Sequence, residues 1–336
     1  MKPKLTVLMP VFNAERFLRE AMDSILSQTF TDFEFLIIDD GSTDGSVAIV
    51  ESYTDPRIRL YQNEVNLGIS PTLNRGIELA TAECIARMDA DDISYPERLE
   101  KQYCYLQAHP DCAMVSSLVR VIAEDGQFIR QDSFKSEFFY YNLTFICWIY
   151  HSTVMYRTAA VKAAGMYTAA YAEDFELFWQ LSRQHKLYNL PEVLLEYRMT
   201  DQSLHQVLKK QEYEMAQQQQ LLRNFRYYAG SSYTLPLEFI ECFQHNFQPL
   251  LATKSPAKVL ACLQELDALT QHILAKDNIN RNAAAISKAA RYKRRYIFIY
   301  YLKHLPLPQS IWLLLKSGYV RHYIKSFIYK KINILL

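Results

Sequence analysis

No pair among the six cysteines shows CxxC spacing, and none of Cys84, Cys104, Cys112, Cys147, Cys242 and Cys262 stands near a histidine at ligand spacing. That speaks against a thiolate metal site or a disulfide framework, and scattered buried thiols of a reducing cytoplasm are expected. No stretch reaches the ~18 apolar residues that a membrane span needs. The opening MKPKLTVLMPVF is too short for a secretory core and is broken by Pro10. The expectation is a cytoplasmic chain, soluble or peripheral on the inner face of the cell membrane. No GxGxxG follows the first strand pattern, which argues against a nicotinamide-dependent dehydrogenase. Acidic residues are missing from positions 291–336, which hold ten Lys or Arg. The net charge of +1 hides this asymmetry, because the first 290 residues carry 27 basic and 36 acidic side chains. Half the 336 residues are apolar, enough for a sizeable core, so disorder is not expected. The length suits one large domain plus an extension.

What is present is a regular alternation. Leu5 to Met9 reads as a short apolar strand, and Asn13 as the cap of a helix that packs Phe17, Leu18, Ala21, Met22, Ile25 and Leu26. Phe33 to Ile38 is a second strand, with an apolar end suited to burial on both faces. Arg57 to Tyr61 and Glu83 to Met88 follow as strands, with a helix opened by Ser70-Pro71 between them and another starting at Pro96. Strand and helix in alternation predict right-handed crossovers and a mostly parallel sheet flanked by helices. Further on, Ala113 to Ile122, Ile149 to Tyr156 and Val193 to Met199 read as strands, and Ala172 to Gln184 as a helix. After about residue 205 the sequence turns Gln-rich and helical, so the expected domains are 1–205 and a helical region 206–336.

Ligands of such sheets bind beyond the carboxyl ends of the strands. Three polar clusters fall there: Pro10 to Asn13, Asp39 to Asp44, and Asp89-Ala90-Asp91-Asp92. The last is the strongest signal. Mg²⁺ and Mn²⁺ prefer carboxylate oxygens and commonly share them with substrate phosphates. A solvated acidic loop before the helix at Pro96 is the plainer alternative. Asp40-Gly41 offers a carboxylate beside a residue that allows close backbone approach, or simply a helix cap. Glu173-Asp174 opens an amphipathic helix, where the dipole favours acids and where an Asp facing the site would serve as a general base.

These segments together resemble the inverting glycosyltransferase family 2, with its GT-A (Rossmann-like) fold. The resemblance rests on VLMPVFNAERFLREAMDSILSQTF, FEFLIIDDGSTDGS, NLGISPTLNRGIELA and IARMDADDISYPERL, then HSTVMYR at 151–157, AEDFELFWQLSR at 172–183 and VLLEYRM at 193–199. It spans about residues 3–200. It implies that Pro10, Phe12 and Asn13 line a nucleotide pocket with Asp40 near the base, and that Asn66, Gly68 and Arg75 sit near the donor. It implies that Asp89 is the nucleotide-side acid, that Asp91 binds Mg²⁺ or Mn²⁺ with Asp92 assisting, and that Asp174 is the catalytic base. His151 and Arg198 are weaker transfers, equally explained as hydrogen-bonded structural residues. Thr200 stands where relatives often have His, and Gln184 where a QxxRW signature would have Trp. Single-sugar transfer from a nucleotide diphosphate sugar, such as a UDP-sugar, onto a glycan or lipid-linked acceptor in cell-surface glycan synthesis is therefore expected. A non-catalytic scaffold of a glycan assembly complex is the alternative, and the intact Asp91 and Asp174 argue against it.

The stretch 291–336 also interleaves its basic residues with ten aromatics, including Trp312 and Phe327. An anionic membrane surface and an ordinary packed helix with a basic edge are the two readings of it. No nucleic-acid motif accompanies the charge, so nucleic acid is not an expected partner.

Overall fold

The computed structural model describes residues 2–132, 134–200 and 210–318. The expected boundary at 205/206 and the tail aromatics Tyr319, Tyr323, Phe327 and Tyr329 lie outside the described residues. The chain divides into two compact units, one of residues up to 143, 147–217 and 278–280, the other of 144–146, 218–277 and 281 onward.

The first unit carries strands β1 (Leu5–Val11), β2 (Phe33–Asp39), β3 (Ile58–Gln62), β4 (Cys84–Arg87), β5 (Ile93–Ser94), β6 (Cys112–Ile122), β7 (Phe128–Gln131), β8 (Met155–Arg157) and β9 (Lys186–Arg198). Helices α1 (Leu18–Leu26), α2 (Ser46–Glu51), α3 (Ile69–Leu79), α4 (Arg98–Ala108), α5 (Phe139–Leu143), α6 (Thr158–Ala163) and α7 (Glu173–Ser182) separate them, and α8 (Lys210–Ala229) follows. The described strands form one sheet in the order β3-β2-β1-β4-β8-β6-β9-β5, with β7 beside β6. β1 pairs in parallel with β2 and β4, β2 with β3, and β6 with β9. The three-residue β8 runs antiparallel to both β4 and β6. Two reversals restore the direction, so β1, β2, β3, β4, β6 and β9 all end at the same edge. Every residue of β1 and β2 is buried, as their unbroken apolar runs require when helices cover both faces. The expected mostly parallel sheet flanked by helices, with a helical C-terminal region, is what the chain adopts.

Three local expectations differ from the structure. Asn13 caps no helix: it has φ 48°, and α1 begins five residues later at Leu18. Its Oδ1 accepts from the Thr43 amide at 2.8 Å instead, a tertiary bond outcompeting the local cap. Ser70 is not the cap of α3 either; Gly68 is, and the Ser70 hydroxyl donates to the Ala169 carbonyl. The expected strand from 149 to 156 is a single 3₁₀ turn at His151–Thr153 before β8. The amide and hydroxyl of Thr153 both donate to the Tyr150 carbonyl, at 3.0 and 2.7 Å, and this local bonding displaces the strand ladder.

The second unit is helical: the end of α8, then α9 (Leu237–Phe243), α10 (Gln248–Ala252), α11 (Pro256–Ala275), α12 (Ala283–His304) and α13 (Leu307–Lys316). Ser255 and Asn282 cap α11 and α12 through side-chain oxygens. Phe145, Phe225 and Phe243 pack ring to ring at its centre.

Within the first unit α3 lies tight against β1. A Cβ on Gly76 would run into the Leu8 side chain, which is fully buried. Gly76→Val is expected to cost about 1–3 kcal/mol through overpacking. Urea denaturation checks this, and an unchanged midpoint would mean the contact is loose.

Candidate active site

The carboxyl edge of the sheet is built from loops that hold one another. The Asn13 amide donates to Ser42 Oγ at 2.9 Å, and Asp39 Oδ2 accepts from the amides of Gly41 and Ser42. Gly41 has φ +76°, and a Cβ there would sit 2.8 Å from the Val65 carbonyl carbon, so this turn requires glycine. Asp40 is buried. Its Oδ1 accepts from Asn63 Nδ2 at 2.7 Å and the Leu67 amide at 2.9 Å, and its Oδ2 from the Gly68 amide at 2.9 Å. The Arg75 guanidinium donates to the Gln62 carbonyl at 2.7 Å and to Asn63 Oδ1. Asp40, Arg75 and Asn63 thus shape the 63–68 loop. Pro10 is buried within β1, Asn66 is exposed, and Phe12, Val65 and Leu67 present apolar surface at this edge.

At the end of β4 three carboxylates converge. Oxygens of Asp89, Asp91 and Asp92 all lie within 4.8 Å of one another. Arg87 pairs with Asp89, and the Ser152 hydroxyl donates to its other oxygen. Burial opposes the charge on Asp89, but the Arg87 guanidinium outweighs it and holds the carboxyl below the usual range. Asp91 has no such partner. Burial first, and the Asp89 charge second, push it up to about 7. Asp92 is pushed well up, by burial and then by the Asp91 charge. Its Oδ1 accepts from the Arg198 amide at 2.8 Å, while its buried Oδ2 makes no hydrogen bond. An all-oxygen set with an orphaned buried oxygen and mutually repelling charges fits a hard divalent cation.

The opening of α7 lies within electrostatic reach of the residues that hold this trio. Ala172 takes a left-handed conformation, and Asp174 Oδ1 accepts from the amide of Phe175 at 2.7 Å. Asp174 is pushed up to about 6, by burial and then by the Glu173 charge. His151 interacts electrostatically with both acidic groups. Its Nε2 is 2.7 Å from the Tyr167 hydroxyl, and its Nδ1 is 3.6 Å from Glu173 Oε1. Burial and the nearby Arg87 charge lower it to about 3, so the ring is neutral. Arg198 turns to the protein, donating to the carbonyls of Asp91 and Glu124 and to Glu20.

Arg87 and Arg98 escaped the sequence reading. Arg98 is fully buried, and its guanidinium donates to the Arg87 carbonyl at 2.7 Å. The available signal was Arg87 itself, a charge inside a strand otherwise fit for burial on both faces.

Asp40→Asn would set an NH₂ group against donors that need an acceptor. The expected loss is about 1–3 kcal/mol, with faster hydrogen exchange at the Leu67 and Gly68 amides. Wild-type protection of those amides would show that the loop does not depend on Asp40.

The sequence profile described as Glycosyl transferase family 2 matches residues 6–163. The O-antigen biosynthesis glycosyltransferase WbnJ of Escherichia coli is 32% identical over 211 residues, which are 59% of this chain and 81% of WbnJ. Among solved structures, S. aureus TarS residues 1–349 in complex with UDP-GlcNAc superposes with a TM-score of 0.56 at 17% identity, over 88% of this chain and 90% of that one. The mannosyltransferase PcManGT from Pyrobaculum calidifontis, in complex with GDP-Man and Mn²⁺, gives 0.52 at 18% identity over 97% and 88%. At such identities the structural likeness is one of fold. The relative carries the assignment further: at 32% identity over 81% of WbnJ, this chain belongs to glycosyl transferase family 2 and is a glycosyltransferase.

Proposed function

We propose that the enzyme moves one sugar from a nucleotide diphosphate donor, a UDP-sugar, to an acceptor hydroxyl with inversion at the anomeric carbon. The acceptor is a glycan or lipid-linked sugar of a cell-surface polysaccharide such as lipopolysaccharide, capsule or exopolysaccharide. The observation that carries this reading is the pairing of an oxygen-only acidic trio at the end of β4 with a separate carboxyl, Asp174, that titrates near neutrality. Arg87 and His151 lie within electrostatic reach of both Asp89 and Asp174, which ties the two groups to one site. WbnJ, named for O-antigen synthesis, supports the glycan class, and the UDP-GlcNAc bound to TarS supports the donor class. Transfer of a single sugar fits a chain with Gln184 in place of the QxxRW tryptophan and, among the described residues, no helix long and apolar enough to cross a membrane. A lipid-linked acceptor would set the reaction at the inner face of the membrane.

Asp91 and Asp92 would hold Mg²⁺ or Mn²⁺, which supplies positive charge against the leaving diphosphate. Asp89, fixed by Arg87 and Ser152, faces the nucleotide side. Asp174 takes the proton of the acceptor hydroxyl while that oxygen attacks the face opposite the leaving group, and one displacement inverts the centre. A base must be ionised to act, and a carboxyl near 6 is both ionised at neutral pH and basic enough to accept a proton.

Asp91→Asn is expected to weaken Mn²⁺-dependent nucleotide binding and nearly abolish transfer. Calorimetry with UDP, with and without Mn²⁺, reads it, and undiminished Mn²⁺-dependent affinity would remove Asp91 from the metal site. Asp174→Asn should keep donor binding and lose roughly 10²-fold or more in turnover. Wild-type turnover should fall as the pH drops through about 6, where Asp174 gains its proton, and level off above. The raised carboxyl has the opposite consequence for stability. Its contribution is complete below the unfolded value near 3.8 and is lost as the pH rises through about 6. Asp174→Asn should therefore melt above the wild type at pH 8 and with it near pH 3.5. An inactive variant with no such pH-dependent gain would place Asp174 elsewhere than in a buried acidic site.

A further inference from the structure

α13 uses one face and leaves another bare. Leu313 is fully buried and Ser310 nearly so, within the second unit. Leu307, Ile311 and Leu315, one helical turn apart, are 73%, 49% and 65% exposed, and Trp312 beside them is 36% exposed. Leucine and isoleucine at i, i+4 and i+8 form a continuous ridge, because residues four apart sit one above the other on a helix. A ridge of this kind in water marks a surface that meets something.

Its surroundings are basic. Lys316 ends the helix, Lys303 and His304 end α12 just before it, and all three are exposed. On α12 the exposed Tyr292 and Tyr296 alternate with the exposed Arg291 and Arg295. No acid occurs in the sequence after residue 290. Two copies joined through this face would set like charges against each other, which disfavours self-association. Among the described residues no helix is long and apolar enough to cross a membrane, so the ridge suits lying on a bilayer rather than entering it fully.

We propose that the Leu307–Ile311–Leu315 ridge of α13, flanked by Trp312 and the basic residues around it, is a docking surface for an anionic lipid bilayer. The apolar ridge inserts at the headgroup boundary, with Trp312 at the interface, while the lysines and arginines stay among the lipid phosphates. The sequence-level choice between membrane and packed helix thereby divides along the stretch: α12 packs, and one face of α13 docks. Docking is independent of the sugar-transfer reading, and its test reads lipid binding rather than turnover.

The test uses the full chain with vesicles of phosphatidylcholine alone or with 30% phosphatidylglycerol, by co-sedimentation in low and high salt. Wild-type protein should sediment with the anionic vesicles, and salt should weaken the binding without removing it. The triple variant Leu307→Ser, Ile311→Ser, Leu315→Ser should bind at least ten-fold more weakly while melting at or above the wild-type temperature, since these side chains are exposed. The variant Lys303→Glu, Lys316→Glu should lose the salt-sensitive part. Wild-type binding by the triple variant would overturn the proposal, as would no preference for anionic vesicles. A marked drop in its melting temperature would show the ridge to be covered by the chain itself. A change from dimer to monomer in light scattering, with lipid binding unaltered, would assign the ridge to a second copy. Either result overturns the docking surface.

Discussion

Asp89 ionises beside Arg87 in a place where burial opposes the charge of both. Much of the site hangs on this pair. Arg87 is part of β4, and its carbonyl receives the fully buried Arg98 of α4. The guanidinium of Arg98 also reaches toward the Val154 carbonyl, tying β4 and α4 to the segment that carries His151. Ser152, in that segment, donates to Asp89, and Arg198 at the end of β9 donates its guanidinium to the Asp91 carbonyl and its amide to the Asp92 carboxylate. Buried ion pairs are weak contributors to net stability, since desolvation offsets much of their attraction. Their effect here is positional: removing one charge would leave another uncompensated, so the acids are held in one arrangement.

The first four strands and the acid clusters were readable because their signals are local. Continuous apolar runs, turns rich in Gly and Asp, and helical spacing of Phe17 to Leu26 all act within a few residues. What was not readable depended on distant partners. Asn13 looks like a cap in its own window, yet Thr43 and Ser42 take its side chain and amide. Asp40 reads in its own window as a cap or a ligand group, and nothing local shows that Asn63 and the Leu67 and Gly68 amides donate to it. β9 is a case of its own. It starts at Lys186, seven residues before the strand read from its sequence, because Pro191 hides the first half. The ladder with β6 steps from Ser117–Leu190 to Leu118–Val193, and the proline sits in that irregularity, where no ladder amide is required of it.

The basic stretch shows the same limit from another side. Read as composition, its Lys and Arg residues look uniformly solvated. Lys293 is instead buried on α12, where its Nζ donates to the Phe243 carbonyl at 2.6 Å and burial lowers it to about 8. Ile297, Phe298 and Tyr301 join it inside the second unit. A period of 3.6 tells that a helix has faces, and only the packing tells which face is spent.

Two neighbouring carboxyl pairs would let one acidic pocket support the two roles proposed for it. In each pair one acid raises the other: Asp89 raises Asp91, and Glu173 raises Asp174, with burial the larger cause in both. The environments differ in what can relieve them. Asp91 shares its repulsion with Asp89 and Asp92 over less than 5 Å, at 4.8 Å or closer, and a cation among the three oxygens would relieve all of it. Asp174 lies beside Glu173 and a His151 kept neutral by burial and Arg87, so no positive ring competes for its proton affinity. Under the proposed function the first pair would surrender protons to a metal, and the second would keep a carboxyl near neutrality as an acceptor of protons. Environments that push like groups toward different tasks are how acid and base roles are divided in a single site.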